Sequence, residues 1–226
     1  MPRAVKQPRS YDSPLRREQA AGTRRRILQA AQELFESDGY AATSMAAIAS
    51  RAGVSLKTVY LACDTKSGLL RALWHLLLRG EQDSLPVGEQ PWYQAVLDEP
   101  DPERQLRLNM RNSLMVKTRA GAMLEVIRSA ASVDPDVGQL WARIQTEFHD
   151  NQRAIVRSIA EKGALAPGLT VAAASDVLWA LNHPTVYALL VRERAWSPHR
   201  YERWLGDLLR DQLLGGSACG ERVRAR

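Results

Sequence analysis

Residues 43–70, Thr-Ser-Met-Ala-Ala-Ile-Ala-Ser-Arg-Ala-Gly-Val-Ser-Leu-Lys-Thr-Val-Tyr-Leu-Ala-Cys-Asp-Thr-Lys-Ser-Gly-Leu-Leu, constrain this chain more than any other stretch. Thr43 or Ser44 offers a cap for a short helix whose apolar residues Met45, Ile48 and Ala49 share one face. Gly53 supplies the backbone freedom to leave that helix, and Val54 plugs the corner. Ser55 then caps a second short helix, Leu56 to about Ala62, which presents Lys57, Thr58 and Tyr60, and a third helix follows at once. Two short helices joined this way place the second in a DNA major groove. The pattern predicts a DNA-binding module.

Its neighbours extend the pattern. Upstream lie Thr23-Arg24-Arg25-Arg26-Ile27-Leu28-Gln29-Ala30-Ala31-Gln32-Glu33-Leu34-Phe35 and the exit Asp38-Gly39-Tyr40, and downstream lies Thr65-Lys66-Ser67-Gly68-Leu69-Leu70. Taken in order and without a gap, residues 20–72 resemble the DNA-binding domain of the TetR family of bacterial transcriptional regulators. The candidate DNA-binding set is Arg24, Thr43, Ser44, Ser55, Lys57, Thr58, Tyr60 and Lys66. Lys57 is long enough to reach guanine acceptors, and Thr58 can touch a thymine methyl or a phosphate. Tyr60 is expected on a phosphate, and the resemblance implies the same for Lys66. The run Tyr60-Leu61-Ala62-Cys63 departs from the family, which usually has aromatic or His residues after the Tyr and a Phe at the helix end. A family hydrogen-bonding group is thus missing at position 62, and Cys63 is a smaller plug.

Charge is distributed to match. Residues 1–26 carry eight basic residues against two acidic ones, a net +6 that equals the formal charge of the whole chain. A basic arm ahead of a helix-turn-helix suits a phosphate backbone, where each neutralised phosphate releases counterions, although a solvated tail would look the same. Residues 1–19 are expected to be a flexible arm, since Pro2, Pro8 and Pro14 oppose a helix at its start. Within 226 residues no apolar run approaches a membrane span, and no apolar segment at the N-terminus suggests export. Cys63 and Cys219 lie in dissimilar contexts, as expected for reduced thiols in a cytoplasmic protein.

Beyond residue 72 the chain reads as helix throughout. Asp101-Pro102, Asp134-Pro135 and Ser197-Pro198 each set a capping side chain before a first-turn Pro, and Thr170 opens a helical pattern over 171–191. Gly163 and Gly215-Gly216 mark stops, and a short helix is expected around residues 92–97. The expected fold class is all-α: a three-helix helix-turn-helix domain at 20–72, a helical bundle at 73–215 and a flexible tail at 216–226.

The resemblance implies that the bundle holds a ligand cavity and a dimer interface made by its last two long helices, here about 171–191 and 198–214. Trp204, Leu205 and Leu208 are the interface candidates, on an apolar face that also suits packing within one chain. A homodimer is expected on its own ground too, because one helix-turn-helix reads few base pairs. Trp92, Trp141, Trp179, Asn182, His183 and Tyr187 are the ligand candidates, for a small, largely apolar compound. Plain core would carry many of the same side chains at helical spacing. Pro184 should kink the 171–191 helix, freeing polar groups beside Trp179 and Tyr187, or serving structure alone.

Nothing in the sequence assembles a catalytic centre. The four histidines are dispersed, without His-Glu-x-x-His spacing, and no phosphate loop or Gly-x-Ser-x-Gly elbow occurs. No metal, cofactor or enzymatic activity is expected. The leading expectation is a dimeric, ligand-responsive repressor of a palindromic operator in double-stranded DNA. The alternative is an adaptor or ligand-binding protein of the same fold that has lost operator recognition.

Overall fold

A computed structural model of the 226-residue chain describes residues 14–79 and 85–214. The basic residues Arg3, Lys6 and Arg9, the stop at Gly215-Gly216, Cys219 and the tail at 216–226 lie outside the described residues. Those described form ten α-helices with one 3-10 turn and one π turn, and contain no strand. No helix among them is long and apolar enough to cross a membrane.

The chain divides into two compact units, residues 1–72 and 73–226. The first begins with α1 (Pro14–Ala42). Residues 14–19, expected to belong to a flexible arm, are helical, and residues 1–13 lie outside the described residues. Pro14 stands at the start, where its missing N–H costs nothing, and good helix formers follow it. Gly39 breaks the run at φ 81°, ψ 166°, a region that essentially only glycine occupies.

Next come α2 (Met45–Ala52) and α3 (Leu56–Ala62), with the start of α4 (Lys66–Arg79) closing the unit. Ser44 and Ser55 are the two N-caps; their hydroxyls accept from the Ala47 and Thr58 amides, each at 3.1 Å. Gly53 ends α2 in the left-handed conformation, and the Val54 amide donates to the Ala49 carbonyl at 3.0 Å. Ile27, Phe35, Ile48, Val59, Leu69 and Leu70 are fully buried and form the unit's core. Burial of each such side chain favours folding by about 1.5–3 kcal/mol, so these short helices owe their stability to packing more than to their own length.

The second unit contains a 3-10 turn at Val87–Glu89, then α5 (Pro91–Asp98), α6 (Pro102–Ala130) and α7 (Pro135–Glu161). After these come α8 (Val171–Leu181), α9 (Pro184–Tyr187), a π turn at Ala188–Glu193 and α10 (Pro198–Leu213). Asp101, Asp134, Thr170 and Ser197 each accept a backbone N–H from the first turn that follows. α7 packs along α8 and α6 along α10, around Met110, Ile155, Ile159, Leu178, Leu205 and Leu209.

The continuous helix expected over 171–191 is instead interrupted. Pro184 removes a backbone donor and forces the residue before it out of the helical region, so His183 is extended at φ −63°, ψ 140°. His183 becomes the N-cap of a new helix and Pro184 its first residue. A break replaces the expected kink.

Candidate nucleic-acid interface and buried cavity

The seven residues of α3 have one strongly buried side chain, Val59, which anchors the helix to the core. The opposite face is open: Lys57 is exposed, Tyr60 is 47% exposed and Leu61 is 79% exposed. The Ser55 hydroxyl lies 2.7 Å from that of Thr58, so the cap and a candidate base-contacting residue share one hydrogen bond. Ser44 and Ser55 are both exposed at helix starts, where free amides and the positive end of the dipole suit a phosphate.

Three candidates from the sequence are used differently. Thr43 is buried, and its hydroxyl donates to the carbonyls of Gly39 at 2.8 Å and Leu34 at 3.2 Å, locking the exit from α1. The Thr43 side chain is thus turned inward. The Lys66 ammonium donates to the Tyr40 and Thr43 carbonyls at 2.8 and 3.1 Å and sits 4.2 Å from the Tyr40 ring centre. It braces α4 against the α1–α2 connection, where the sequence suggested a free phosphate hook. Arg24 reaches across the unit to donate to the Ala62 carbonyl at 2.6 Å and towards the Cys63 sulfur at 3.5 Å. The reason is common to all three. A carbonyl left over at a helix end must find a donor, and a long or hydroxylated side chain nearby supplies it.

The second unit holds a partly open cavity of about 100 Å³. Trp74, Trp92, Ile144 and Phe148 give it apolar walls, while Asn109, Lys117 and Gln152 form a polar side. A smaller void of about 10 Å³ lies against Trp141, His183, Tyr187 and, again, Lys117. The six ligand candidates are therefore dispersed. Trp92 lines the larger cavity, and Trp141, His183 and Tyr187 line the smaller. Trp179 and Asn182 line neither of the two. The Trp179 ring stacks edge-on against His183, 5.4 Å between centres, and its indole N–H is buried without an acceptor. Asn182 is fully buried in a polar network.

That network is what the sequence reading missed. Lys117 is buried, and its Nζ donates to Oδ1 of Asn182 at 2.5 Å and lies 3.0 Å from the Tyr201 hydroxyl. Ser113 donates to the same Oδ1 at 2.8 Å, and Asn109 donates to Gln152 Oε1 at 3.1 Å. Burial pushes the Lys117 ammonium well below the usual lysine range, and it raises the Tyr201 phenol far above its own, with Tyr187 adding to the effect. The signal was present in spacing. Ser113, Lys117, Ala120 and Leu124 follow one another at intervals of four, three and four, so the lysine stands on the buried stripe of α6.

Leu205 was expected at a dimer interface, but it is 1% exposed within its own bundle, packed with Tyr201 and Leu209. The broad apolar face of α10 is spent there. Trp204 and Leu208 remain half-exposed.

Residues 27–73 match the family model for bacterial regulatory proteins of the tetR family. The chain is 27% identical over 170 residues to a probable HTH-type transcriptional regulator, ArpR, of Pseudomonas putida, covering 73% of this chain and 78% of that one. The fold is similar to that of NalD, the secondary repressor of the MexAB-OprM multidrug efflux pump in Pseudomonas aeruginosa. There the TM-score is 0.69 at 23% identity, over 88% of this chain and 98% of that one. It is similar also to SmeT in a complex with triclosan, with a TM-score of 0.69 at 19% identity over 87% and 93% of the two chains. The capped α2–Gly53–α3 corner and the exposed α3 face agree with these likenesses: residues 27–73 form a DNA-binding domain of the kind found in bacterial regulatory proteins of the tetR family.

Proposed function

We propose that this DNA-binding regulator acts as a homodimeric, ligand-responsive repressor of a palindromic operator, working in the cytoplasm. The observation that carries the reading is the outward face of α3, where Lys57, Tyr60 and Leu61 are exposed on a helix held by Val59 and two serine caps. Lys57 supplies the base contact, with Thr58 and Leu61 on apolar groups such as thymine methyls. Tyr60 and the helix starts at Ser44 and Ser55 hold phosphates, and Arg24 and Lys66 position the helix that reads. Two copies joined through α8 and α10, with Trp204 and Leu208 outward, would set two recognition helices on successive major grooves, about 34–36 Å apart for half-sites one turn apart.

The effector is a small, largely apolar compound bound in the second unit, a reading supported by the cavity and by the triclosan complex of SmeT. Only a compound that binds the two dimer geometries unequally would release DNA. Selecting duplexes from a random pool tests the reading. Enrichment of an inverted repeat, lost in Lys57→Ala, supports it. Enrichment of nothing, with partner or ligand binding intact, would favour an adaptor that has lost operator recognition.

A further inference from the structure

The polar network around Lys117 has donors to spare. Its Nζ has two oxygen partners, the Asn182 amide and the Tyr201 hydroxyl, and both are neutral. Asn182 Oδ1 already accepts from Ser113, and Gln152 Oε1 accepts from Asn109 with Asn182 Nδ2 a further 3.5 Å away. Four donor side chains thus converge on two amide oxygens. Among the described residues no carboxylate stands within 4.0 Å of the lysine; Glu125, beside the smaller void, is held by Arg128. A buried ammonium with no anion is costly, and a native fold seldom keeps one without a use.

Lys117 also lines the larger cavity, whose other walls include Trp92, Ile144 and Phe148, with the exposed Glu147 as the one carboxylate of its lining. Its volume of about 100 Å³ suits a single ring better than a fused system. We infer that this cavity binds a small aromatic carboxylic acid as its anion, with Lys117 as counter-ion and the apolar walls around the ring. The inference rests on the ligand-sensing reading above and narrows its ligand class. When the carboxylate enters, the Lys117 amine, which burial disfavours as an ammonium, takes up one proton from solvent, so the ion pair forms in the cavity with a net uptake of one proton. The missing anion is then supplied by the ligand, and a neutral isostere forfeits that interaction.

The test uses benzoate against benzamide and toluene, followed by tryptophan fluorescence and calorimetry on the full chain. Benzoate should bind at least about tenfold more tightly than benzamide. Lys117→Met should erase that preference while toluene still binds. Asn182→Asp sets a carboxylate beside Nζ within the fold; it should also erase the preference, and it keeps the test available if Lys117→Met fails to fold. Equal affinity for benzoate and benzamide, no binding of either, or a preference that survives Asn182→Asp would overturn the inference. Operator release is scored separately. A benzoate preference without release would leave this inference standing and sink the sensing role. Release by neutral compounds, without an acid preference, would do the reverse.

Discussion

The Arg24 guanidinium lies 2.6 Å from the carbonyl oxygen of Ala62, so a side chain of α1 closes the last turn of α3. A cation at a helix C-terminus also meets the negative end of its dipole. This contact falls where the sequence carries Leu61-Ala62-Cys63 in place of bulkier residues. Arg24 thereby holds α3 in place. Arg24→Ala should cost about 1 kcal/mol of binding on every duplex alike, leaving base preference unchanged. A mutation-specific change in preferred sequence, measured by competition between duplexes, would assign Arg24 to base reading instead.

Lys57 and Leu61 should behave in the opposite way. Lys57→Ala is expected to relax preference at one base position and to cost about 1–3 kcal/mol on the preferred duplex. Leu61 is 79% exposed, so Leu61→Ala should leave the melting temperature unchanged while reducing discrimination at a thymine. Both effects are read by fluorescence anisotropy on duplexes changed one base pair at a time.

His183 caps α9 through Nδ1, which accepts the Thr185 amide at 3.2 Å, and so Nε2 carries the proton and donates to Gln145 Oε1 at 3.1 Å. Burial, and then the charges of Lys117 and Arg128, hold its pKa below the ordinary 6.5. The unfolded chain therefore takes up this proton first as the pH falls. The contribution to stability is complete above pH 6.5 and is lost as the pH drops through the lower folded-state value. Melting curves between pH 7.5 and 5 should show this loss, and His183→Asn, which keeps a capping group but cannot titrate, should reduce it. An identical acid dependence in the variant would exclude His183 as the source.

Neighbouring leucines of α10 should separate folding from assembly. Leu205 is buried in its own bundle, so Leu205→Ala should cost about 2–5 kcal/mol of stability. Leu208 is half-exposed, and Leu208→Glu should shift sedimentation from dimer to monomer while the bundle still melts cooperatively. A dimer that tolerates this glutamate would place the interface elsewhere.

Local chemistry was readable in the sequence where it is settled within one turn of chain. The caps at Ser44, Ser55, Asp101, Asp134, Thr170 and Ser197 depend on a side chain and an amide two or three residues away. What was not readable is which way a polar side chain turns once distant elements meet. Thr43 and Lys66 look like surface groups until the carbonyls of Leu34, Gly39 and Tyr40 arrive beside them. Leu205 and Leu208 both stand on the apolar side of one helix pattern, and the packing of α6, α8 and the π turn against α10 buries the first more deeply. Lys117 was overlooked for the opposite reason. Its residue type suggests solvent, whereas its position on the α6 stripe gave the true environment.

Whether α3 reads a DNA sequence is tested most directly by one titration. The duplex enriched from a random pool and a scrambled duplex of equal composition are each titrated with the full chain across a series of salt concentrations. The enriched duplex should bind at least about a thousandfold more tightly, both affinities should fall as salt rises, and Lys57→Ala should close much of the gap between them. Equal affinity for the two duplexes, with the same salt slope and no effect of Lys57→Ala, would contradict a reading role for α3.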